Sequence, residues 1–267
     1  MESGSLLVIG AGGLGCRWAR GAHSRVSSES DLMLVDADME SFKGASYAHC
    51  MHLDPTGTEK GIAALPALAA HRTISALDEI DQVLTNAELV VILTGLGGGT
   101  GTGSTIELAR ASRQRGAIVV VVAGLPFAEQ SFRSRMANDA LPSLEDAADI
   151  CIRVSLERLA WQSRRRRLNW QQGSGWIEEL VEGLISTIGK LGKINLDLMD
   201  LKSIVKHKGG ATLIVASGPL EDTRKIVEDA RRSPLIDIGL DGAKGCLIQV
   251  EGLSLIHISE PTRRHSI

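Results

Sequence analysis

Two apolar runs constrain this chain more than any other feature. Residues 6–10 (LLVIG) and 89–94 (LVVILT) each read as a short strand buried on both faces, and each runs directly into a string of glycines followed by a helical pattern. Further strands are read at 32–35, ending at Asp36, at 117–123 (AIVVVVA) and at 150–154. Helices are read at 16–23, 77–84 and 104–115, the last with Ile106 and Ala109 on its inner side. Strands alternating with helices predict an α/β fold built on a doubly wound, mostly parallel sheet. Positions 42–75 say less: Asp54-Pro55-Thr56-Gly57 is a turn signal, and Pro66 breaks an alanine-rich stretch.

The pattern changes after Arg164-Arg165-Arg166-Arg167, a run read as a solvated turn, with a partner or phosphate contact as the sharper alternative. Trp170, Ile177, Leu180, Leu184 and Ile188 then recur at helical spacing, predicting a long helix of about 20 residues whose first turns are weakened by Gly173 and Gly175. A loop at 192–200, a helix from Leu201, a strand at 211–216, a helix at 221–231 and a strand at 246–250 read as a smaller α+β second domain, cut short. The expected division is a nucleotide-binding domain over 1–168, a central connecting helix over 169–192 and a partial second domain over 193–252. The stretch 253–263 (LSLIHISEPTR) matches an in-frame translation of a common transposase sequencing adapter, so 253–267 is read as a non-native tail with the natural C-terminus unseen.

Composition narrows the function. Of 267 residues 43% are hydrophobic and 23% charged, ordinary for a globular chain. No apolar run reaches about 18 residues, so no direct membrane insertion is expected. The start shows no signal-peptide layout, and the expected location is cytoplasmic. A net charge of −3 excludes a general electrostatic nucleic-acid binder, and 3% aromatics argue against a base-stacking platform. Cys16, Cys50, Cys151 and Cys246 contain no CxxC pair and read as buried free thiols. His49 and His52 flank Cys50, but no second ligand cluster accompanies them, so no metal site is assigned.

The chemistry lies in the glycine strings. In Gly10-Ala11-Gly12-Gly13-Leu14-Gly15 the glycines let the chain turn tightly and approach a phosphate, while the helix that follows offers free N–H groups and the positive end of its dipole. With Asp36 ending the next strand, this turn alone reads as a dinucleotide site for NAD. It is also similar to the first turn of ubiquitin-activating-type adenylating enzymes, which use ATP. The second string, Gly97-Gly98-Gly99-Thr100-Gly101-Thr102-Gly103, decides against a single cradle. It puts a second anion site on the same sheet edge, so one long phosphate chain can lie between the two. No Gly-Lys-Ser/Thr follows, so it is not a Walker loop; Thr100, Thr102 and Ser104 are the candidate hydroxyl donors. The reading requires 97–103 to face a ligand space and not the interior.

The string GGGTGTG resembles the signature of the tubulin/FtsZ family, and the resemblance extends over roughly residues 5–252. Asn195-Leu196-Asp197-Leu198-Met199-Asp200 is similar to that family's synergy loop, NxDxxD, and follows the expected long helix as it does there. Residues 233–237 (SPLID) and 242–248 (GAKGCLI) look like the family's second domain. The resemblance implies a polymerising GTPase of cell division that binds GTP/GDP with Mg2+. It implies head-to-tail filaments of the chain with itself, with an FtsZ-family copolymer partner as a further option. The nucleotide of one subunit would meet the acidic loop of the next, with Asp197 and Asp200 positioning and polarising the attacking water and Asn195 near the phosphates. On the nucleotide side it implies Gly10, Gly12, Gly13, Gly15, Arg17, Asp38, Gly97, Gly98, Gly99, Thr100, Gly101, Thr102, Gly103, Glu129, Arg133 and Trp170. The alternatives are a non-hydrolysing nucleotide-binding scaffold and a Rossmann-type NAD or ATP enzyme.

The chain departs from that pattern at several points. Where the family has the γ-phosphate loop GAGANP, residues 58–66 read TEKGIAALP. The asparagine after the first glycine turn is Arg17, a positive charge in place of a neutral amide. Asp36-Ala37-Asp38 stands for Asn-Thr-Asp, so only the last acid matches, and Ser155-Leu156-Glu157 stands for Pro-Asn-Asp. The guanine-reading Asn-Asp pair is Ser174-Gly175, while Trp170 takes the place of a stacking Phe; Pro126-Phe127 is kept, and Glu129 and Arg133 stand for the ribose-contacting pair. A base edge read by fewer polar groups is discriminated less, so weaker guanine selectivity is expected, and with the γ-phosphate loop lost hydrolysis is expected to be slow.

Overall fold

The computed structural model describes residues 5–28, 30–54, 65–167, 169–172, 175–189 and 222–231. Six parallel strands, β1 (Ser5–Ala11), β2 (Asp31–Asp36), β3 (His49–His52), β4 (Ala87–Gly95), β5 (Ile118–Leu125) and β6 (Ile150–Ser155), form one sheet in the order β3-β2-β1-β4-β5-β6. The chain order reverses direction between β1 and β4, the doubly wound arrangement that opens a crevice at the carboxyl ends of those two strands.

The helices are α1 (Gly12–Val26), α2 (Pro66–Ser75), α3 (Leu77–Leu84), α4 (Gly99–Gln114), α5 (Ser131–Ala147), α6 (Leu156–Arg166), α7 (Trp176–Gly189) and α8 (Thr223–Arg231). The period-2 geometry of β1 sorts them into two layers. Leu7, Ile9 and Ala11 pack with Ala69 of α2, Ile80 of α3, Leu108 of α4 and Ala137 of α5. Leu6 and Val8 pack on the other face with Trp18 of α1, Leu159 of α6 and Ile177 and Leu180 of α7.

Several expectations are corrected. Both glycine strings belong partly to helices: α1 begins at Gly12, not Cys16, and α4 at Gly99, not Ser104. Pro66 starts α2 instead of breaking it, as suits a residue whose missing N–H and fixed φ match the first helical position. The arginine run is not a turn: it ends α6, with Arg167 closing the helix in the left-handed region at φ 57°. The long helix starts later than expected, because Trp170–Gln172 form a separate 3-10 turn and Gly175, at φ +83°, lets the chain re-enter a helix at Trp176. Strand β3 and helix α5 were not read from the sequence. Cys16 and Cys151 are buried thiols, but Cys50 is exposed on the edge strand. Burial pushes the Cys151 thiol up to about 12 and raises Cys16 further still, so both stay protonated. The expected elements at 192–216 and 246–250 and the 253–267 tail lie outside the described residues.

Helix α7 packs on α1 with Glu178 beside Gly21. Glu178 is buried, and a methyl placed on Gly21 would come within 3.0 Å of its Oε1. Its Oε2 has no hydrogen-bond partner among the described residues. Burial raises its carboxyl above the ordinary range, opposed by backbone N–H donors and by Arg25, which itself pairs with Glu182 at 3.2 Å. A carboxyl with a raised folded-state pKa binds its proton more readily folded than unfolded. Its ionisation therefore lowers stability as pH rises from the ordinary carboxylate range through the raised value. Glu178→Gln should raise Tm at pH 7 by a few degrees, corresponding to about 1 kcal/mol for relief of a buried unsatisfied charge. Calorimetry at pH 7 and pH 4 reads the sign: the gain should shrink at the lower pH, and an equal gain at both would sink the assignment.

Candidate functional site at the switch point

The two glycine turns sit side by side because β1 and β4 are hydrogen-bonded neighbours with Ala11 opposite Thr94. The turn after β1 uses Gly12 at φ +73°, and the turn after β4 uses Gly97 at φ +88°, both conformations that glycine alone adopts without strain. The two helix starts touch: a methyl on Gly12 would lie 2.9 Å from the Gly101 nitrogen. Thr94 Oγ1 is within hydrogen-bond distance of Gly101 O (2.9 Å) and Ala11 O (3.3 Å), stapling one turn to the other. The sequence reading passed over this threonine; its signal was a hydroxyl ending an otherwise apolar strand.

Neither helix start is capped by a side chain. Ala11 before α1 and Gly98 before α4 make no side-chain cap hydrogen bond, and neither first turn holds an acid. Two helices of 15 and 16 residues therefore converge with unspent N–H donors and positive dipole ends at one crevice. That arrangement favours an anion with more than one charged group, such as a polyphosphate.

The glycines divide by role. Gly15 is forced by close packing, since a methyl there would lie 2.2 Å from the Leu93 carbonyl oxygen; Gly101 meets Gly95 O at 2.3 Å and Gly103 meets Pro66 O at 2.0 Å. Gly10 is held against Cys16 and Ala19 of α1, and Gly97 against Arg133 of α5. Gly98 has open space around it, and Gly13 has only Asp36, Ser41 and Arg17 side-chain atoms near 4 Å. Of 97–103, Gly98 is half-buried with open space beside it, whereas 97 and 99–103 are buried at the strand ends as the packed base of the crevice. The hydroxyls are corrected in the same way. Thr102 Oγ1 accepts the Gly97 N–H (2.9 Å) and braces the turn, and Ser104 Oγ is fully buried without a partner among the described residues. Thr100 is also buried.

Arg17 stands one turn into α1, exposed, with its guanidinium at the rim beside Gly13. The neighbouring acids are engaged locally. Asp36 accepts from the Ala37 N–H (2.8 Å) and the Ser41 hydroxyl (2.5 Å), and Asp38 accepts from the Glu40 N–H (3.0 Å) to start a 3-10 turn. With both Asp36 oxygens committed to their own turn, a ribose hydroxyl finds little there, which weighs against the dinucleotide reading. Glu129 lies exposed on the β5–α5 connection and Arg133 exposed in the first turn of α5, where its backbone abuts Gly97. Trp170 meets Phe127 edge to face, centroids 5.3 Å apart, giving an aromatic pair beside α1. The structure thus gathers Gly12, Gly13, Gly97, Gly98 and Arg17 with the Arg133 backbone around one crevice. Asn195, Asp197 and Asp200 lie outside the described residues. Among the described residues no group of three or more His, Cys, Asp or Glu side chains is placed to hold a metal.

Comparison with known proteins agrees with this geometry. The cell division protein FtsZ of Haloferax mediterranei is 29% identical over 262 residues, covering 96% of this chain and 69% of that protein. FtsZ 2 of Haloferax volcanii is 29% identical over 253 residues, covering 92% and 63%. The chain thus spans about two thirds of the length of these relatives. The FtsZ dimer structure from M. jannaschii superposes with a TM-score of 0.76 at 26% identity, covering 90% of this chain and 71% of that one. CetZ2 from Haloferax volcanii, at 21% identity and a TM-score of 0.65, covers 84% and 71% and shares the fold. The family model for the tubulin/FtsZ GTPase domain matches residues 5–162, well over half of the chain, and with the paired glycine turns on adjacent strands this places the chain in the tubulin/FtsZ family as a divergent FtsZ-like member.

Proposed function

We propose that this chain binds GTP and GDP, assembles head to tail with itself in the cytoplasm, and hydrolyses the γ-phosphate at a site completed by the next subunit. The observation that carries the reading is the meeting of two uncapped helix starts at Gly12 and Gly101, stapled by Thr94. One such start holds one phosphate; two in contact suit a chain of them. The backbone N–H groups around Gly13 and Gly98 hold the phosphates, and Arg17 adds the charge that the missing glycine-rich γ-phosphate loop does not contribute. Phe127 and Trp170 offer an aromatic face to the base, and Glu129 and Arg133 lie where a ribose would be held. Mg2+ entering with the nucleotide neutralises phosphate charge.

The acidic loop would act in trans. Asp197 and Asp200 of one subunit position a water against the terminal phosphate of its neighbour, and Asn195 donates to the phosphate oxygens. Phosphoryl transfer depends mainly on such positioning and charge stabilisation, so bringing the carboxylates in from another subunit couples turnover to assembly. The division into a nucleotide domain (1–168), connecting helix (169–192) and partial second domain (193–252) belongs to this proposal. So does the role in cell division carried by the relatives' names.

Displacement of a fluorescent GTP analogue by GTP, ATP and NAD, followed by turnover against protein concentration, tests it. GTP should compete best, by a narrower margin over ATP than in a chain with the Asn-Asp pair, and turnover per molecule should rise with concentration. Preference for NAD would restore the Rossmann reading. Binding without turnover would leave the non-hydrolysing scaffold, and a rate per molecule independent of concentration would end the in-trans site.

A further inference from the structure

Helix α6 carries the chain's densest positive charge, and the nucleotide site makes no use of it. Its buried side is Leu156, Leu159, Ala160 and Ser163. Its outer side presents Arg158, Trp161 and Arg164, and Arg167 closes the helix. From Arg158 to Arg167 the sequence has five arginines and no acid. Glu157 alone stands at the other end of this side, and its Oε1 accepts the Ala128 N–H (2.9 Å). Trp161 is 56% exposed in a chain with only 3% aromatics.

We propose that this side of α6 lies against an anionic lipid surface. A half-exposed indole among arginines is the side-chain pair that partitions into the headgroup region, ring at the acyl boundary and guanidinium groups on phosphates. A convex helix side is poorly shaped to seat a protein partner's anchoring side chain. A nucleic acid would need a longer basic track than one helix end on a chain of net charge −3. Arg164 and Arg167 also suit the negative end of the α6 dipole. The helix has 11 residues, and no helix among the described residues is long and apolar enough to cross a membrane, so the contact is along the surface. Edge strand β6 leads directly into α6, which places the helix at the rim of the sheet.

The test is co-sedimentation of the 267-residue chain with phosphatidylcholine vesicles with and without phosphatidylglycerol. Binding is expected only with phosphatidylglycerol and should fade in high salt. Each basic residue near such a surface contributes roughly fivefold, so Arg164→Glu with Arg167→Glu should weaken binding roughly 25-fold or more while nucleotide binding stays unchanged. Should charge reversal disturb folding by circular dichroism, Arg164→Gln with Arg167→Gln should give a smaller loss in the same direction. Vesicles should shift tryptophan emission to the blue in the parent chain but not in Trp161→Phe. Absent binding, equal binding to neutral vesicles, full binding by both double variants, or capture by an acidic polypeptide in place of vesicles would each overturn the proposal.

Discussion

Alanine at Gly15 is expected to cost the domain about 3 kcal/mol or more of stability, whereas alanine at Gly98 should leave the fold intact and weaken GTP binding tenfold or more. Both residues sit in glycine turns at the same crevice, and the difference lies in what a methyl would meet. At Gly15 it would lie 2.2 Å from the Leu93 carbonyl oxygen, a backbone atom of β4 that no rotamer change can move. Relief requires α1 to part from the sheet, exposing Trp18, Ala19 and Ala22, all fully buried. Such overpacking costs about 3 kcal/mol or more against a total stability of roughly 5–15 kcal/mol. At Gly98 the backbone is extended, φ −111° and ψ 170°, which any residue adopts, and nothing lies within 4 Å of the added methyl. Thermal melting should therefore be unchanged or slightly raised, since alanine also restricts the unfolded chain. The methyl would stand over the start of α4, where a phosphate must approach the N–H groups. Parallel melts and nucleotide titrations separate the two. Unimpaired GTP affinity in Gly98→Ala would mean that the phosphates do not lie over this turn.

That contrast also marks what the sequence could reveal. The glycine strings announced a backbone crowded at two strand ends, and the apolar runs announced the sheet. They could not say which glycines serve packing and which serve a ligand, because both demands select the same residue. Gly101 and Gly103 count against a helix by intrinsic propensity, yet they lie in the first turns of α4, because only residues without Cβ atoms fit there, Gly101 against Gly95 O and Gly103 against Pro66 O. The short strand His49–His52 (HCMH) carries no alternation and forms because Met33–Asp36 offer it an open edge. Helix α5 contains Pro142 and few apolar residues, so its period is faint; its place comes from burial of Ala137, Leu141 and Leu144 against the sheet. The roles of Thr94 and Thr102 were hidden for another reason. A hydroxyl's partner is fixed by tertiary contacts, and a threonine in a phosphate-binding string reads as a donor to phosphate even when it braces the turn.

Two variants of low activity alone should hydrolyse GTP faster when mixed, if the reactive centre is shared between subunits. Asp200→Ala keeps the crevice and loses a water-positioning carboxylate, so its own turnover should fall roughly 100-fold or more, the usual cost of losing a preorganised electrostatic group. Gly98→Ala keeps the acidic loop and loses nucleotide affinity, so at GTP well below the parent Kd it should turn over at roughly a tenth of the parent rate or less. A head-to-tail contact joins the top of one molecule to the bottom of another. In an equal mixture about one contact in four pairs the intact crevice of an Asp200→Ala subunit with the intact loop of a Gly98→Ala subunit. Turnover should then recover to about a quarter of the parent rate at the same total protein concentration, and should fall faster than linearly on dilution. A site contained within one molecule predicts only the sum of two small rates, because neither variant can repair the other. Absence of recovery, with both variants folded by melting and with assembly of the mixture seen by light scattering, would therefore place the carboxylates and the phosphates in the same subunit or remove the loop from the chemistry. Recovery would also separate the hydrolysing protein from the passive scaffold, since a scaffold has no turnover for the mixture to restore.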